Sequence, residues 1–198
     1  MQRSLVTSLV VCLLMGGMAL GAPIIDVGTH KLLENAPGQT VVVLVTGTDQ
    51  VTGFNLNARL GDGLGGLPEP VFESVNFAGG MWDAGAHTVM GGPPAGNEQY
   101  VQASVVFNPA MNVSAAGLLV TLTIDTTGFF NGESFPLLLS GITEIGQDSH
   151  FITSGAGTLA ADITNGTIEI VPEPASLAIL ALGGLALLGR RTRPRRRR

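Results

Sequence analysis

The chain has 198 residues, enough for one sizeable domain. Its net charge is -5 at pH 7, but most basic residues lie at the two ends, and residues 22–171 carry two basic against fourteen acidic residues, a net charge of -12. This acidity argues against nucleic-acid binding, because the body would repel phosphate backbones. The single cysteine, Cys12, lies near the N-terminus, so the body is not a disulfide-stapled scaffold.

Residues 1–21 have the three parts of a secretory signal peptide. Arg3 provides the cationic start, an apolar stretch runs from Leu5 to Met18, and small residues occur at Ala19 and Gly21. We expect cleavage after Gly21, because cleavage after Ala22 would place Pro23 beside the scissile bond. The mature chain would then contain no cysteine, and its folded domain would span residues 22–171.

The body contains short segments in which apolar and polar residues alternate between glycine, proline and asparagine breaks, as in half-buried strands. The predicted strands are 24–29, 40–46, 53–60, 71–77, 101–107, 118–124, 135–139, 142–145 and 167–171. The run 40–46 is continuously apolar, which predicts a strand buried on both faces. Thr52-Gly53, Asn131-Gly132 and Asn165-Gly166 are turn signals. We therefore predict an all-β fold, an antiparallel β-sandwich of the jelly-roll type.

Motifs that would indicate catalysis or a cofactor do not have the required context. Residues 61–66 fit G-x-G-x-x-G, but Pro68 and Pro70 follow instead of a helix, so we interpret this segment as a strand connection. Asp148-Ser149-His150 contains the residue types of a catalytic triad, yet chain neighbours rarely face one another, and a turn is expected. We predict no enzyme, no cofactor and no metal site, while a dispersed calcium site or a pair of glycosidase carboxylates stays open.

Two aromatic side chains are candidate ligand contacts. Trp82 and Tyr100 are the single tryptophan and tyrosine, and flat rings can pack on sugar faces. Trp82 lies between glycine-rich stretches that suggest a loop. A core position is the alternative for Trp82.

The C-terminal 27 residues, 172–198, have a separate organisation. Pro172, Glu173 and Pro174 precede Ala175 and Ser176, and residues 175–189 form an apolar segment at the short end of a membrane-spanning helix. Arginines follow it and would hold that end in the cytoplasm. They are Arg190, Arg191, Arg193, Arg195, Arg196, Arg197 and Arg198.

This order of Pro-Glu-Pro, apolar segment and terminal arginine cluster resembles the PEP-CTERM sorting signal of Gram-negative bacteria. The resemblance implies recognition and removal of the tail by a membrane enzyme, exosortase, with delivery of the protein to the cell surface or beyond. A plain C-terminal anchor is the alternative.

Four stretches of the body carry a second resemblance, namely Ala36–Val45, Val51–Leu56, Gly117–Ile124 and Asn165–Ile170. In these stretches the body resembles the cohesin-like sandwiches, which include relatives of carbohydrate-binding modules. In cohesins the partner is a dockerin module. At the end of the 53–60 strand the chain reads Leu60-Gly61-Asp62-Gly63, which departs from that family's usual pattern.

Together these features predict an exported cell-surface or extracellular-matrix protein with a binding or structural role. The expected partners are exosortase, the membrane through the C-terminal helix before processing, and either an envelope protein, such as one with a dockerin, or an exopolysaccharide. A secreted glycan-active enzyme and a simply anchored envelope protein are the alternatives.

Overall fold

The computed structural model describes residues 22–61, 68–93, 99–108, 111–141 and 148–173. These residues form two facing β-sheets and one small two-stranded ladder. The all-β sandwich predicted from the sequence is confirmed. The predicted signal peptide, and the C-terminal segment after Glu173, lie outside the described residues.

The elements are short strands and one turn of 3-10 helix. The first eight strands are β1 Ile24–Asp26, β2 Thr29–Leu33, β3 Gln39–Thr46, β4 Gln50–Val51, β5 Gly53–Leu60, β6 Val71–Asn76, β7 His87–Gly92 and β8 Tyr100–Phe107. The others are β9 Val113–Ser114, β10 Gly117–Asp125, β11 Ser134–Leu138, β12 His150–Ile152, β13 Thr158–Ala160, β14 Asp162–Thr164 and β15 Gly166–Val171. The 3-10 helix spans Met81–Ala84, between β6 and β7.

The first sheet has the spatial order β14-β1-β3-β10-β6. Its central pair, β3 and β10, is antiparallel, and a bulge between Leu118 and Val120 shifts the register of β10. In β3, Val41, Val43 and Val45 point inward and are buried, whereas Val42 and Leu44 face solvent with exposed fractions of 45% and 54%. The prediction that this strand is buried on both faces is therefore wrong, because a single layer covers it.

The second sheet is built around β5. One edge of β5 pairs with β8, which in turn pairs with β7. The other edge pairs first with β12 and then with β11, and the sheet continues through β15 to β2. The alternation predicted for 53–60 is confirmed, since Phe54, Leu56, Ala58 and Leu60 are fully buried.

The two terminal segments connect the sheets. β1 pairs in parallel with β14 in the first sheet, and β2 pairs in parallel with β15 in the second. The N-terminal segment thus passes from the first sheet to the second at residues 27–28, and the C-terminal segment does so next to it, at residue 165. Asn165 stabilises this crossing because its side-chain oxygen accepts hydrogen bonds from the backbone N–H groups of Leu139, at 2.8 Å, and Ser140, at 3.1 Å.

Most predicted strands have a counterpart, but several elements were not predicted. β2, β4, β7, β9 and β12–β14 were absent from the prediction, and the strand predicted at 24–29 ends at Asp26. His150 begins a strand where a turn was expected. The strand predicted at 142–145 lies outside the described residues, as does most of the connection at 61–66.

Candidate functional site

The outer face of the second sheet carries a row of side chains that crosses four strands. The register places Met90 of β7 beside Ser104 of β8, Ser104 beside Asn55 of β5, and Asn55 beside His150 of β12. A second row joins Gln102 to Asn57. We call this surface, defined by Asn55, Asn57, Met90, Gln102, Ser104 and His150, the amide face.

A shallow groove of about 310 Å³ runs across the amide face. It is lined by Asn55, Asn57, Met90, Gly91, Gln102, Ala103 and Ser104. The carboxamides of Asn55 and Gln102 can donate and accept hydrogen bonds, whereas Asn57 beneath them is only 1% exposed. Met90 at the edge of the groove is 58% exposed. The groove therefore presents uncharged polar groups next to an adaptable apolar side chain.

Asn57 is held rigidly at the centre of this face. Its backbone N–H donates to Ser149 Oγ at 2.9 Å, and Ser149 Oγ donates to the Asn57 carbonyl oxygen at 2.8 Å. The Tyr100 hydroxyl donates to Asn57 Oδ1 at 3.1 Å. Asn57 Nδ2 donates to the Asp148 carbonyl oxygen at 3.4 Å. Because both ends of the side chain and the backbone are engaged, the position of Asn57 is set before any partner binds.

His150 lies next to Asn55 on the side opposite Ser104, and hydrogen bonds fix its ring. Asn55 Nδ2 lies 3.0 Å from His150 Nε2, and His150 Nδ1 lies 3.0 Å from the Asp148 carbonyl oxygen. A carbonyl can only accept, so Nδ1 carries the proton and Nε2 accepts from Asn55. The imidazole is therefore engaged at both nitrogens.

Asp148, Ser149 and His150 do not form a catalytic triad. Ser149 is buried, and its hydroxyl is engaged by the backbone of Asn57. His150 bonds to the backbone of Asp148 and to Asn55, with no bond to the Ser149 hydroxyl among these contacts. The tripeptide instead joins β12 to β5.

The other histidines also bond to backbone. His30 Nε2 is 2.6 Å from the Val27 carbonyl oxygen, and His87 Nδ1 is 3.2 Å from that of Gly85. Within the described ranges, no group of three or more His, Cys, Asp or Glu residues is placed to hold a metal ion.

The two candidate ligand contacts lie in different environments. Tyr100 is half-buried at the margin of the amide face, and burial raises the pKa of its hydroxyl above 10.0. Trp82 is fully buried, and its Nε1 donates to the Leu119 carbonyl oxygen at 2.8 Å. Its ring packs against Phe77 and Phe107. Trp82 is thus a core residue, and the prediction that it contacts a ligand is wrong.

Carboxylates are distributed unevenly between the two sheets. Strands β1, β6, β10 and β14 of the first sheet each contain one acidic residue, namely Asp26, Glu73, Asp125 and Asp162. In the eight-stranded second sheet, β15 contains Glu169, and the other seven strands, β2, β5, β7, β8, β11, β12 and β13, contain no acidic residue. The amide face therefore contains no carboxylate, in a strongly acidic body. Arg59 lies at its margin, and the exposed Asp148 lies next to it, before β12.

A second surface lies at the end of the sandwich where β15 finishes. Glu34, Asn35, Phe130 and Glu173 line a groove of about 280 Å³ there. Phe130 is 59% exposed, whereas its neighbour Phe129 packs edge-on against Phe135, with ring centroids 5.2 Å apart. We call this surface the tail end, because Glu173 is the last described residue and belongs to the predicted sorting signal.

The residues predicted to form the sorting signal are described only in part. Pro172 and Glu173 follow β15 and are exposed. Pro174, Ala175, Ser176, the apolar segment 175–189 and the seven arginines lie outside the described residues. In the described part of the chain, no helix is long and apolar enough to span a membrane.

Comparison with known proteins identifies both the tail and the sandwich. Residues 171–197 match the PEP-CTERM protein-sorting motif. Among curated proteins, no sequence matches the chain.

Three solved structures illustrate the similarity of the sandwich. A non-cellulosomal cohesin from the archaeon Archaeoglobus fulgidus is 17% identical, with a TM-score of 0.54 over 80% of this chain and 98% of that chain. The third cohesin of ScaC from Acetivibrio cellulolyticus, solved with the ScaB dockerin, is 11% identical, with a TM-score of 0.56 over 75% and 99%. A type III cohesin from the ScaE scaffoldin of Ruminococcus flavefaciens is 12% identical, with a TM-score of 0.54 over 77% and 89%.

These findings define a cohesin-like β-sandwich module. More particularly, it is a module with a PEP-CTERM sorting motif at its C-terminus, which implies an exported protein of the cell envelope or surface. Both resemblances drawn from the sequence are confirmed.

Proposed function

We propose that this chain is an exported, exosortase-processed, non-catalytic binding module that holds another envelope protein through its amide face. The precursor would be directed out of the cytoplasm by residues 1–21 and held by residues 175–189 until the tail is removed. The folded body, residues 22–171, would then act at the cell surface.

The observation that carries the proposal is the absence of carboxylates from β5, β7, β8 and β12, the four strands that carry the amide face, in a body with fourteen acidic residues. Charged residues are depleted at the cores of protein interfaces, where burying an unpaired charge is costly. Solubility alone would favour an even spread of acids over both sheets. A surface without carboxylates can be covered by a partner protein without burying an unpaired negative charge.

The rigidity of the amide face also favours binding. Asn57 and His150 are fixed by hydrogen bonds in the free protein, so little side-chain entropy is lost when a partner binds. Tyr100 and Arg59, at the margin of the face, are residue types enriched at interfaces. The cohesin of ScaC was solved bound to a dockerin, which makes a protein the preferred partner for a similar sandwich.

The alternatives have weaker support. Exopolysaccharide binding would favour an exposed aromatic platform, yet Trp82 is in the core, which leaves Tyr100 as the ring beside the amide face. A hydrolase of the triad type is disfavoured because the Ser149 hydroxyl is engaged by Asn57. We therefore propose a protein partner in preference to a glycan.

The sorting part of the proposal is tested by mass spectrometry of the C-terminal peptide of the protein recovered outside the cytoplasm of its native host. Processing predicts a new C-terminus near residues 172–176 with the arginines absent. Recovery of intact Arg198 in the membrane fraction would make the chain a simply anchored envelope protein.

The binding part is tested with two matched serine variants. Ser104 lies on the amide face, and Ser74 lies on the outer face of the first sheet, where it bonds to Thr123. Purified envelope proteins of the host would be passed over immobilised wild-type, Ser104→Arg and Ser74→Arg domains, and saturable binding measured for each retained protein. We expect Ser104→Arg to weaken binding at least about tenfold, as at an interface hot spot, with Ser74→Arg unchanged.

Two results would contradict this assignment. Equal binding by both variants would remove the amide face from the interface, and loss with Ser74→Arg alone would move the interface to the first sheet. Release of new reducing ends from host polysaccharide by the wild-type domain would favour the enzyme alternative.

A further inference from the structure

The tail end of the sandwich is built as a rigid platform beside the sorting motif. The Asn35 N–H donates to the Phe129 carbonyl oxygen at 2.9 Å, and the Gly128 N–H donates to Asn35 Oδ1 at 3.0 Å. The Asn131 N–H donates to Glu34 Oε2 at 3.0 Å. The loop that carries Phe130 is thus tied on both sides to the connection between β2 and β3.

The same loop is tied to the last strand. The Gly132 N–H donates to the Ile170 carbonyl oxygen at 3.1 Å, and the Ile170 N–H donates to that of Glu133 at 2.9 Å. The Glu34 N–H donates to the carbonyl oxygen of Val171, the last residue of β15, at 2.9 Å. The platform and the start of the sorting motif therefore form one hydrogen-bonded unit.

Phe130 is exposed, although the same loop partly buries one phenylalanine ring in an apolar site. Its neighbour Phe129 fills that site against Phe135. The Phe130 N–H donates to Glu133 Oε2 at 2.5 Å, which fixes the backbone that carries the exposed ring. Burying such a ring against a partner would remove a large apolar area from water. Glu34 and Glu173 line the groove beside it, so the complementary surface would be apolar and cationic.

The distance between platform and tail limits what can act on the tail. Val171 and Ala175 are four peptide units apart, a distance of at most about 14 Å when the chain is extended. A folded protein of 100 residues already has a radius of gyration of about 13 Å. An enzyme that acts on residues 172–176 therefore meets the tail end of the sandwich as well as the chain it cuts.

We propose that the processing enzyme recognises a composite surface, made of the sorting motif and the tail end of the folded sandwich, with Phe130 as the apolar anchor and Glu34 as a charged contact. This inference rests on the proposed exosortase processing and adds a contact outside the matched motif, which begins at residue 171. The enzyme would recognise the folded sandwich as well as the sequence of the motif, so the tail would be removed slowly from a chain whose body is unfolded.

The test measures the rate of tail removal from the full chain in its native host, by pulse labelling and mass spectrometry of the C-terminus. The variants are Phe130→Ser, Phe130→Ser with Glu34→Gln, and an insertion of Gly-Ser-Gly-Ser between Val171 and Pro172. The control is Leu44→Ser, which removes a similarly exposed apolar side chain, 54% exposed against 59% for Phe130, from the outer face of the first sheet. Membrane association of each precursor is measured in parallel.

We expect Phe130→Ser to slow processing at least about fivefold, the double variant to slow it further, and Leu44→Ser to leave it unchanged. The insertion should also slow processing, because it separates the motif from the platform. Precursor in the membrane fraction should remain at the wild-type level.

Other outcomes would overturn the composite surface. Faster processing of the insertion variant with Phe130→Ser unchanged would mean that the sandwich only obstructs the enzyme. Two results would assign the Phe130 ring to contact with lipid. In the first, Phe130→Ser slows processing while the insertion variant is processed at the wild-type rate. In the second, Phe130→Ser slows processing and its precursor is also lost from the membrane fraction. Retention of the tail by the wild-type chain would refute processing itself, and with it this inference.

Discussion

Gly28 and Gly166 approach so closely that a Cβ added at Gly166 would lie 2.2 Å from the Gly28 carbonyl oxygen. The same oxygen accepts a hydrogen bond from the Thr167 N–H at 2.9 Å. This contact is where the first and last segments of the domain cross together between the sheets. The two ends of the described domain are thus fastened to each other, and β15 is an integral part of the sandwich although the sorting motif begins at its last residue.

The first prediction concerns the boundary between domain and tail. Residues 22–173 contain every strand that the structure describes, so we expect this fragment to be monomeric and to unfold cooperatively, as followed by circular dichroism in urea. The matched control is residues 22–165, which lacks β15 and its buried Ile168 and Ile170, and it should not fold. Aggregation of the 22–173 fragment would show that the tail packs on the sandwich.

The second prediction concerns the glycine contact. Gly166→Ala should destabilise the 22–173 domain by about 3 kcal/mol, because the methyl group collides with backbone that cannot move aside. Gly28→Ala should cost about 1 kcal/mol, since a Cβ there meets nothing and the cost is that of its φ of +72°. Urea unfolding of both variants separates collision from backbone strain. Equal losses would mean that the crossing relaxes to accept a side chain.

The third prediction concerns Trp82. Trp82→Phe keeps most of the ring but leaves the Leu119 carbonyl oxygen without its indole donor, so it should cost about 2 kcal/mol. Trp82→Ala should cost about 4 kcal/mol through the cavity it leaves. Both are measured by thermal or urea unfolding followed by circular dichroism. Partner binding by the folded Trp82→Phe domain should be unchanged, and a selective loss of binding would restore Trp82 as a contact.

The sequence predicted long strands well because one side of each is buried. In β5, β8 and β10 the inward positions are apolar and the outward ones mostly polar, which is the pattern that alternation detects. β7 lacks this pattern, since it is an edge strand whose residues are all exposed or half-buried. Its pairing with β8 depends on backbone hydrogen bonds, for which the side chains give no signal.

The setting of Trp82 was misleading for a related reason. The neighbouring glycines suggested a loop, but a Cβ at Gly80 would lie 2.3 Å from the Leu118 carbonyl oxygen. Glycine is needed there because the chain packs closely against the bulge of β10. Close packing and flexible loops use the same residue, so the sequence alone does not separate them.

The amide face could be predicted only in fragments. Asn55, Asn57 and Gln102 were recognisable as outward positions of their strands. Their assembly into rows depends on the register between β5 and β8, and on β12, which approaches from nearly a hundred residues away in the chain. Register follows from turns and long-range packing, and a slip of one residue would have turned these side chains into the core.

The last prediction concerns the pH dependence of stability, and it uses Tyr100. Burial raises the pKa of its hydroxyl above 10.0 in the folded state, so above pH 10 the folded domain binds more protons than the unfolded chain. The free energy of unfolding should therefore be unaffected by this group below pH 10 and should fall as the pH rises from 10 through the folded-state pKa. Because Tyr100 is the single tyrosine, the ultraviolet absorbance of tyrosinate follows its titration directly. Tyr100→Phe should flatten the alkaline decline of stability, and an absorbance midpoint at or below pH 10 in the folded domain would contradict the burial of this hydroxyl against Asn57.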